Sequence, residues 1–395
     1  MIKKFSILIA DDQKDNIIVI LDMLKTSTDV EYTVMAAPNG KIACELAEKK
    51  LPDMIIMDWE MPVMNGIEAV RQIKANPITS DIPIIMATAL ASSSHLGEAL
   101  EVGAIDYVRK PIDRLELLAR VKSSLLLSES YKKIKTQKEL LSHNNKLITD
   151  SIKYAHRIQS AILPSEEYIK DLFNDAFVFI QPKDCVSGDF YWGKKINNKI
   201  FIAAVDCTGH GVPGAFMSLI GYNLLEQLSN ETINPAQLLD LMKTSVCEKL
   251  VNEKNQFKVN DGMDMSLCVI DYTEMIINYA GAYNPLFLIS NNTFTETKAN
   301  KMPVGKALLE TGKKFTNHQM SFSKGDKIYL FSDGYADQIG GSENDKFFLS
   351  NFRDMIIENS KLPMNDQKEV IKTRLFDWIG DNAQIDDIMV LGIEL

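Results

Sequence analysis

The sequence predicts an α/β protein built from two domains of different design, joined by a long helix. Three observations carry this. In the first 125 residues, five strand-like runs (Phe5–Ala10, Tyr32–Ala36, Asp53–Met57, Pro83–Thr88 and Ile105–Arg109) alternate with segments of helical length. That alternation implies a doubly wound, five-stranded parallel sheet with helices on both faces. From Asp113 to Leu163, just before Pro164, the chain contains neither glycine nor proline. Beyond about residue 175 short strand-like runs dominate, several of them joined by tight turns, which implies layered, mainly antiparallel sheets. The expected domains are 1–125, a helical connector over 126–164, and 165–395.

Composition narrows the function. Of 395 residues, 46% are hydrophobic and 24% charged, with a formal net charge of −10. An acidic chain lacks the clustered Lys and Arg that a nucleic-acid surface requires. Five cysteines (Cys44, Cys185, Cys207, Cys247 and Cys268) form no CxxC pair. They read as reduced thiols of a cytoplasmic protein. Met1–Ala10 is too short an apolar run for a signal peptide, and no segment approaches the roughly 20 apolar residues of a membrane helix. The expectation is a soluble protein with no membrane or nucleic-acid partner.

In a parallel sheet, functional groups gather at the carboxyl ends of the strands. Those ends carry Asp11, Asp12, Asp58, Thr88 and Lys110. Three converging carboxylates repel one another unless a divalent cation neutralises them, and oxygen ligands suit Mg²⁺. Singly, Asp12 could be a helix cap, Asp58 a turn residue and Lys110 a solvated charge; the set is what carries weight. With the stretch Asp58-Trp59-Glu60-Met61-Pro62-Val63-Met64-Asn65-Gly66 and the pair Lys110-Pro111, the segment resembles the response-regulator receiver domain. The resemblance implies that Asp58 accepts a phosphoryl group from a sensor histidine kinase. It implies Mg²⁺ held by Asp11, Asp12 and the Glu60 main-chain carbonyl. Thr88 and Lys110 would bind phosphoryl oxygens, Tyr107 would move with Thr88 as a switch pair, and Lys110–Pro111 would be cis.

Within the connector, Leu127, Ile134, Leu141, Ile148, Ala155 and Ile162 fall at a strict seven-residue step. Such a stripe supports a left-handed coiled coil, and so a homodimer. Ser130, Gln137, Asn144 and Ser151 weaken the complementary row, which leaves open a single helix lying on its own domains.

The last domain should hold strands at Ala176–Gln181, Lys199–Val205, Ser266–Asp271, Ile276–Ala280, Pro285–Ile289, Lys327–Ser332 and Ile388–Ile393. Helices are expected at Ala215–Leu228, Pro235–Val251, Phe347–Asn359 and Met364–Ile379. Four acidic motifs punctuate it. They are Val186-Ser187-Gly188-Asp189-Phe190-Tyr191-Trp192, Asp206 with Gly209, Gly211 and Gly214 after it, Ser332-Asp333-Gly334, and Gln384-Ile385-Asp386-Asp387. Any one Asp could be a turn residue. Together they would make an oxygen-ligand site for two Mg²⁺ or Mn²⁺ ions, since paired metals can activate water and stabilise displacement at phosphorus.

With Asp261-Gly262-Met263-Asp264, Gly281-Ala282-Tyr283-Asn284-Pro285 and Pro303-Val304-Gly305, these motifs resemble the SpoIIE-like branch of the metal-dependent serine/threonine protein phosphatases. The resemblance implies that Asp206 bridges two Mn²⁺ or Mg²⁺ ions. Asp189 and the Cys207 main-chain carbonyl would serve one ion, Asp333 and Asp386 the other, with Asp387 behind them. His210 reads as a turn-stabilising residue. Trp192 stands where many relatives have a second acid, and only Arg353 and Arg374 are available to clamp phosphate. The implied activity is hydrolysis of phosphoserine or phosphothreonine on a partner, an anti-sigma-factor antagonist by resemblance. The rival is a non-catalytic, receiver-controlled binding module.

Overall fold

In the computed structural model, which describes residues 3–27, 29–89, 93–250, 261–305 and 312–395, the chain divides into two units, Met1–Asn145 and Lys146–Leu395. The first unit is a parallel sheet of β1 (Lys3–Ala10), β2 (Val30–Ala37), β3 (Met54–Asp58), β4 (Ile84–Thr88) and β5 (Asp106–Arg109), in the order β2-β1-β3-β4-β5. Helices α1 (Lys14–Lys25), α2 (Gly40–Lys50), α3 (Gly66–Ala75) and α4 (Ser93–Glu101) alternate with them. Both faces of the sheet are covered, so its strands are apolar throughout rather than alternating. Ile7, Ile9, Ile56 and Ile85 pack toward α1 and the start of the next helix, while Leu8, Ile55, Ile84 and Met86 pack toward α2 and α3.

That next helix, α5, runs unbroken over Arg114–Ile162. Leu117, Val121 and Leu125 bury its first turns in the first unit. Gln159 is buried in the second. Between them the heptad stripe is bare: Leu127, Ile134, Leu141 and Ile148 are 68%, 63%, 61% and 59% exposed.

The second unit opens with α6 (Glu166–Leu172), β6 (Asp175–Gln181), β7 (Phe190–Ile196) and β8 (Lys199–Cys207), then α7 (Gly211–Leu228) and α8 (Pro235–Leu250). It continues through β9 (Gly262–Asp271), β10 (Ile276–Ala282), β11 (Leu286–Ser290), β12 (Thr293–Thr297), β13 (Val304–Gly305), β14 (His318–Ser321) and β15 (Lys327–Phe331). Last come α9 (Gly334–Asp337), the hairpin β16 (Ile339–Gly340) and β17 (Asp345–Lys346), α10 (Leu349–Asn359), α11 (Met364–Ile379) and β18 (Ile388–Glu394).

Two antiparallel sheets result, one ordered β14-β10-β9-β8-β7 with β13 on β9, the other β12-β11-β15-β18-β6. Period-two alternation assigns the faces. Ile200, Ile202 and Ala204 point between the sheets with Val178, Met389 and Leu391, whereas Phe201, Ala203 and Val205 face α7 and α8. On the second sheet Phe177, Phe179, Tyr329 and Phe331 face α10 and α11. The order is helix, sheet, sheet, helix. Two expected boundaries move by four residues: β9 starts at Gly262 rather than Ser266, and α7 starts at Gly211 rather than near Ala215. Pro213 is tolerated there because the first-turn N–H groups have no intrahelical acceptor.

Candidate functional site

In the first unit the carboxyl ends of β1 and β3 bring three acids together. Ligand oxygens of Asp11, Asp12 and Asp58 all lie within 4.8 Å of one another. Asp11 is oriented by the Gln13 N–H (2.9 Å) and the Asn16 amide (3.0 Å). Lys110 reaches in from the end of β5, its Nζ 2.8 Å from Asp11 Oδ2 and 2.7 Å from Asp58 Oδ1. Burial raises the Asp58 pKa and the Asp11 charge adds to it, while Lys110 opposes both. Burial alone would lower Lys110, but the two carboxylates outweigh it and raise its pKa. Thr88 is buried at the end of β4, and its carbonyl accepts the Lys110 N–H at 2.9 Å. Tyr107 is half-buried on β5, Glu60 is exposed two residues past Asp58, and Lys110–Pro111 is cis.

In the second unit the acids collect at one end of the space between the two sheets. Asp206 continues the inter-sheet face of β8, and its Cα partner on β9 is Asp264. Asp189 immediately precedes β7, Ser332 and Asp333 follow β15, and Asp386 and Asp387 precede β18. Asp333 lies close enough for its charge to act on both Asp189 and Asp206. Asp189 is buried with Oδ2 unpartnered, whereas Asp333 and Asp386 are exposed. Burial raises the pKa of Asp189, and the charges of Asp387, Asp386 and Asp333 raise it further. Asp206 is raised by burial and then by Asp189, Asp333, Asp264 and Asp386. Asp333 is raised by burial, Asp337 and Asp386.

Backbone packing fixes this arrangement. A Cβ on Gly188 would stand 2.7 Å from the Gly209 carbonyl, and one on Gly214 only 2.1 Å from it, so the loop carrying Asp189 rests directly on the loop after Asp206. Cys207 is buried, with its carbonyl 3.3 Å from the same Gly188 position. Asp387 is buried and spends both oxygens on main-chain N–H groups, those of Lys183 and Gly188. His210 contacts Asp184 (2.7 Å) and Lys183 (2.9 Å), fastening the same loop. Trp192 lies in the core against α7 with its indole N–H on Glu226 at 2.6 Å, so position 192 gives the centre no outer ligand. Arg353 pairs with Asp354 and Arg374 lines a groove with Asn351 and Trp378.

Four residues gained no role from sequence reasoning. Asp264 and Ser332 stood inside quoted motifs, but only strand register shows what they face. Lys346 is the cation whose charge opposes the shift of Asp333. Gln159, on α5, donates to the Ser187 carbonyl (2.6 Å) and accepts the Ser187 N–H (3.2 Å), gripping the residue two before Asp189. An all-oxygen donor set and an unpaired buried carboxylate oxygen fit a hard divalent cation. No second trio of acid, His or Cys ligand atoms among the described residues is as tight as that of Asp11, Asp12 and Asp58. The second unit's acids thus share one electrostatic neighbourhood at wider spacing.

Residues 197–395, about half of the chain, match the family of Stage II sporulation protein E (SpoIIE), and the chain belongs to that family. Residues 7–122 match the response regulator receiver domain. The chain is a receiver domain joined to a SpoIIE-family domain. It is similar to the solved SiaA-PP2C domain of Pseudomonas aeruginosa, with 28% identity, 64% of this chain and 98% of that chain covered, and a TM-score of 0.58. Over 121 residues it is 39% identical to the phosphate regulon transcriptional regulatory protein PhoB of Pseudomonas aeruginosa, covering 30% of this chain and 51% of that protein. Over 123 residues it is 39% identical to histidine kinase P4 of Formosa agariphila, covering 31% of this chain and 9% of that protein. The chain thus spans about half or less of these curated relatives. Among the described residues no helix is long and apolar enough to cross a membrane.

Proposed function

We propose that this protein is a two-component response regulator whose output domain hydrolyses phosphoserine or phosphothreonine on a partner protein, under control of phosphorylation at Asp58. The observation that carries the output is the convergence of Asp189, Asp206 and Asp333: the charge of Asp333 raises both Asp189 and Asp206, that of Asp189 raises Asp206 further, and a buried Asp189 oxygen is left unpaired. Carboxylates held in mutual repulsion cost stability unless a cation satisfies them. Asp206, Asp189, the Cys207 carbonyl, Asp333 and Asp386 would together hold two Mn²⁺ or Mg²⁺ ions. The ions, when bound, supply Lewis acidity toward the phosphoryl group and activate a water molecule. Asp387 keeps the Asp189 loop seated on the β18 end, and the exposed Asp333 and Asp386 leave the centre open to a protein-borne phosphate.

In the receiver, Asp58 attacks the phosphorus of a phosphohistidine on a sensor kinase. The P–N bond breaks, Lys110 and Thr88 hold the phosphoryl oxygens, and Tyr107 follows Thr88. Asp11, Asp12 and the Glu60 carbonyl would hold Mg²⁺. The connectors of two copies would pair through the bare heptad stripe, and Gln159 would transmit a change in their packing to the Asp189 loop. The substrate we favour is an anti-sigma-factor antagonist, which would place the protein in the cytoplasm. Phosphate release from phosphoserine substrates with Mn²⁺ tests the reading, alongside calorimetric Mn²⁺ binding. Wild-type protein should bind and turn over, and Asp206→Asn and Asp333→Asn should lose both the turnover and the Mn²⁺ binding that exceeds that of the receiver site. Mn²⁺ binding with turnover no higher than in those variants would favour a non-catalytic binding module instead.

A further inference from the structure

The link from β10 to β11 crosses from one sheet of the second unit to the other. β10 ends at Ala282 and β11 begins at Leu286, so the crossing is made by Tyr283, Asn284 and Pro285. Register puts it at the acidic end of both sheets. Ala282 pairs with Met265, which pairs with Val205, and Asp264 pairs with Asp206. Tyr283 is therefore level with Asp264 and Asp206, two strand spacings or about 10 Å from the latter. In the other sheet Phe287 pairs with Tyr329, and continuing that antiparallel register sets Asn284 level with Ser332.

Tyr283 adopts φ 57°, the left-handed region that bulky residues avoid, and the residue is 51% exposed. The surroundings enforce this shape. The Tyr283 N–H donates to the Asn300 carbonyl at 2.9 Å and the Asn284 N–H to the Ala282 carbonyl at 2.7 Å. The Asn284 carbonyl accepts from the hydroxyls of Tyr279 (2.6 Å) and Ser266 (2.9 Å). Asn284 is itself buried, with Nδ2 unpartnered. A turn needing only this backbone would be easier with glycine at 283. Strain that the neighbours over-determine, beside a functional centre, marks a side chain kept for a purpose.

We propose that Tyr283 is a specificity residue of the phosphatase centre, its ring packing against the peptide that flanks the phosphorylated serine or threonine. This rests on the phosphatase reading above. Aromatic side chains supply large contact area at low entropic cost, and the neighbouring carboxylates offer a peptide no apolar contact of their own.

The test compares a degenerate phosphoserine peptide library with free phosphoserine, both with Mn²⁺ and the full chain. Tyr283→Ala should raise KM for the peptides about 10-fold, as loss of an interface anchor does, with kcat little changed. On free phosphoserine, which has no flanking residues, kcat/KM should stay within about twofold of wild type. Tyr283→Phe should behave as wild type. Tyr283→Gly, which keeps the turn and removes the ring, should show the alanine phenotype with an undiminished Tm. Equal losses on both substrates, or an unchanged peptide KM in the Ala and Gly variants, overturn this inference alone. Wild-type protein that releases phosphate from neither substrate overturns the phosphatase reading and this inference together.

Discussion

The main-chain N–H of Gly188 donates to Asp387 Oδ2 at 2.7 Å, tying the residue before one candidate ligand to the residue after another. The other Asp387 oxygen accepts the Lys183 N–H at 2.8 Å. Asp387→Ala leaves both donors without their acceptor, in a loop that must hold Asp189. We expect a loss of about 3 kcal/mol in stability and a 10- to 100-fold loss in Mn²⁺ affinity. Asp387→Asn, with one acceptor oxygen left, should fall between. Thermal denaturation and calorimetric Mn²⁺ titration measure the two effects, and undiminished Mn²⁺ affinity in Asp387→Ala would show that the loop holds itself.

A Cβ on Gly334 would lie 2.0 Å from the Asp387 carbonyl oxygen, with backbone on both sides. Gly334→Ala should therefore cost about 2 kcal/mol or more and disturb Asp333. Gly97, inside α4, has open space around its Cβ position. Gly97→Ala should stabilise the first unit by up to about 1 kcal/mol through helix propensity. Urea denaturation read separately for each unit distinguishes them; equal effects of one sign would contradict the close-approach argument.

Glu166 joins α6 to α11. Its two oxygens are each 2.8 Å from Lys368 Nζ, and Lys170 is 3.0 Å away. Burial pushes its pKa up, but the two lysines prevail and hold it below the ordinary value. A carboxyl with a depressed folded pKa contributes stability that is fully present above its unfolded pKa, about 4.3, and is lost as pH falls through the folded value. The pair is partly exposed, so the contribution should be about 1 kcal/mol or less. Glu166→Gln should lower stability at pH 7 yet match wild type at about pH 3. Urea midpoints at both values check this, and a variant as stable as wild type at pH 7 would remove the ion pair from consideration.

Much of this was legible because the chemistry sits where chain direction changes. Asp58, Asp206, Asp333 and Asp386 each stand at the end of an apolar run or beside one, so strand periodicity locates them before any contact is known. Asp264 was not legible as a neighbour of Asp206, since 58 residues separate them and only the β8–β9 register sets them opposite. Gln159 hides within a polar stretch of a helix that gives no local sign of what it grips. Strands β12 and β14, Thr293–Thr297 and His318–Ser321, lie at sheet edges with none of their residues fully buried. Their short polar sequences lack the apolar run that betrays a central strand. The strand Phe190–Ile196 was missed for a different reason, because Gly193 and two lysines interrupt its apolar pattern.

The bare stripe on α5 yields the last expectation. Leu127, Ile134, Leu141 and Ile148 are spaced for one face of a two-stranded coiled coil, and each is more than half exposed. Burying such a side chain contributes about 1.5–3 kcal/mol, whereas Ser130, Gln137 and Asn144 in the facing row contribute little. Pairing should hold in the micromolar range, and the double substitution Ile134→Asp, Leu141→Asp should raise the dimer dissociation constant at least about 100-fold. Because neither residue is buried within one chain, helicity by circular dichroism should change little. Sedimentation equilibrium with and without acetyl phosphate reads the outcome. A wild-type monomer under both conditions would remove the paired connector as the route from Asp58 to the Asp189 loop.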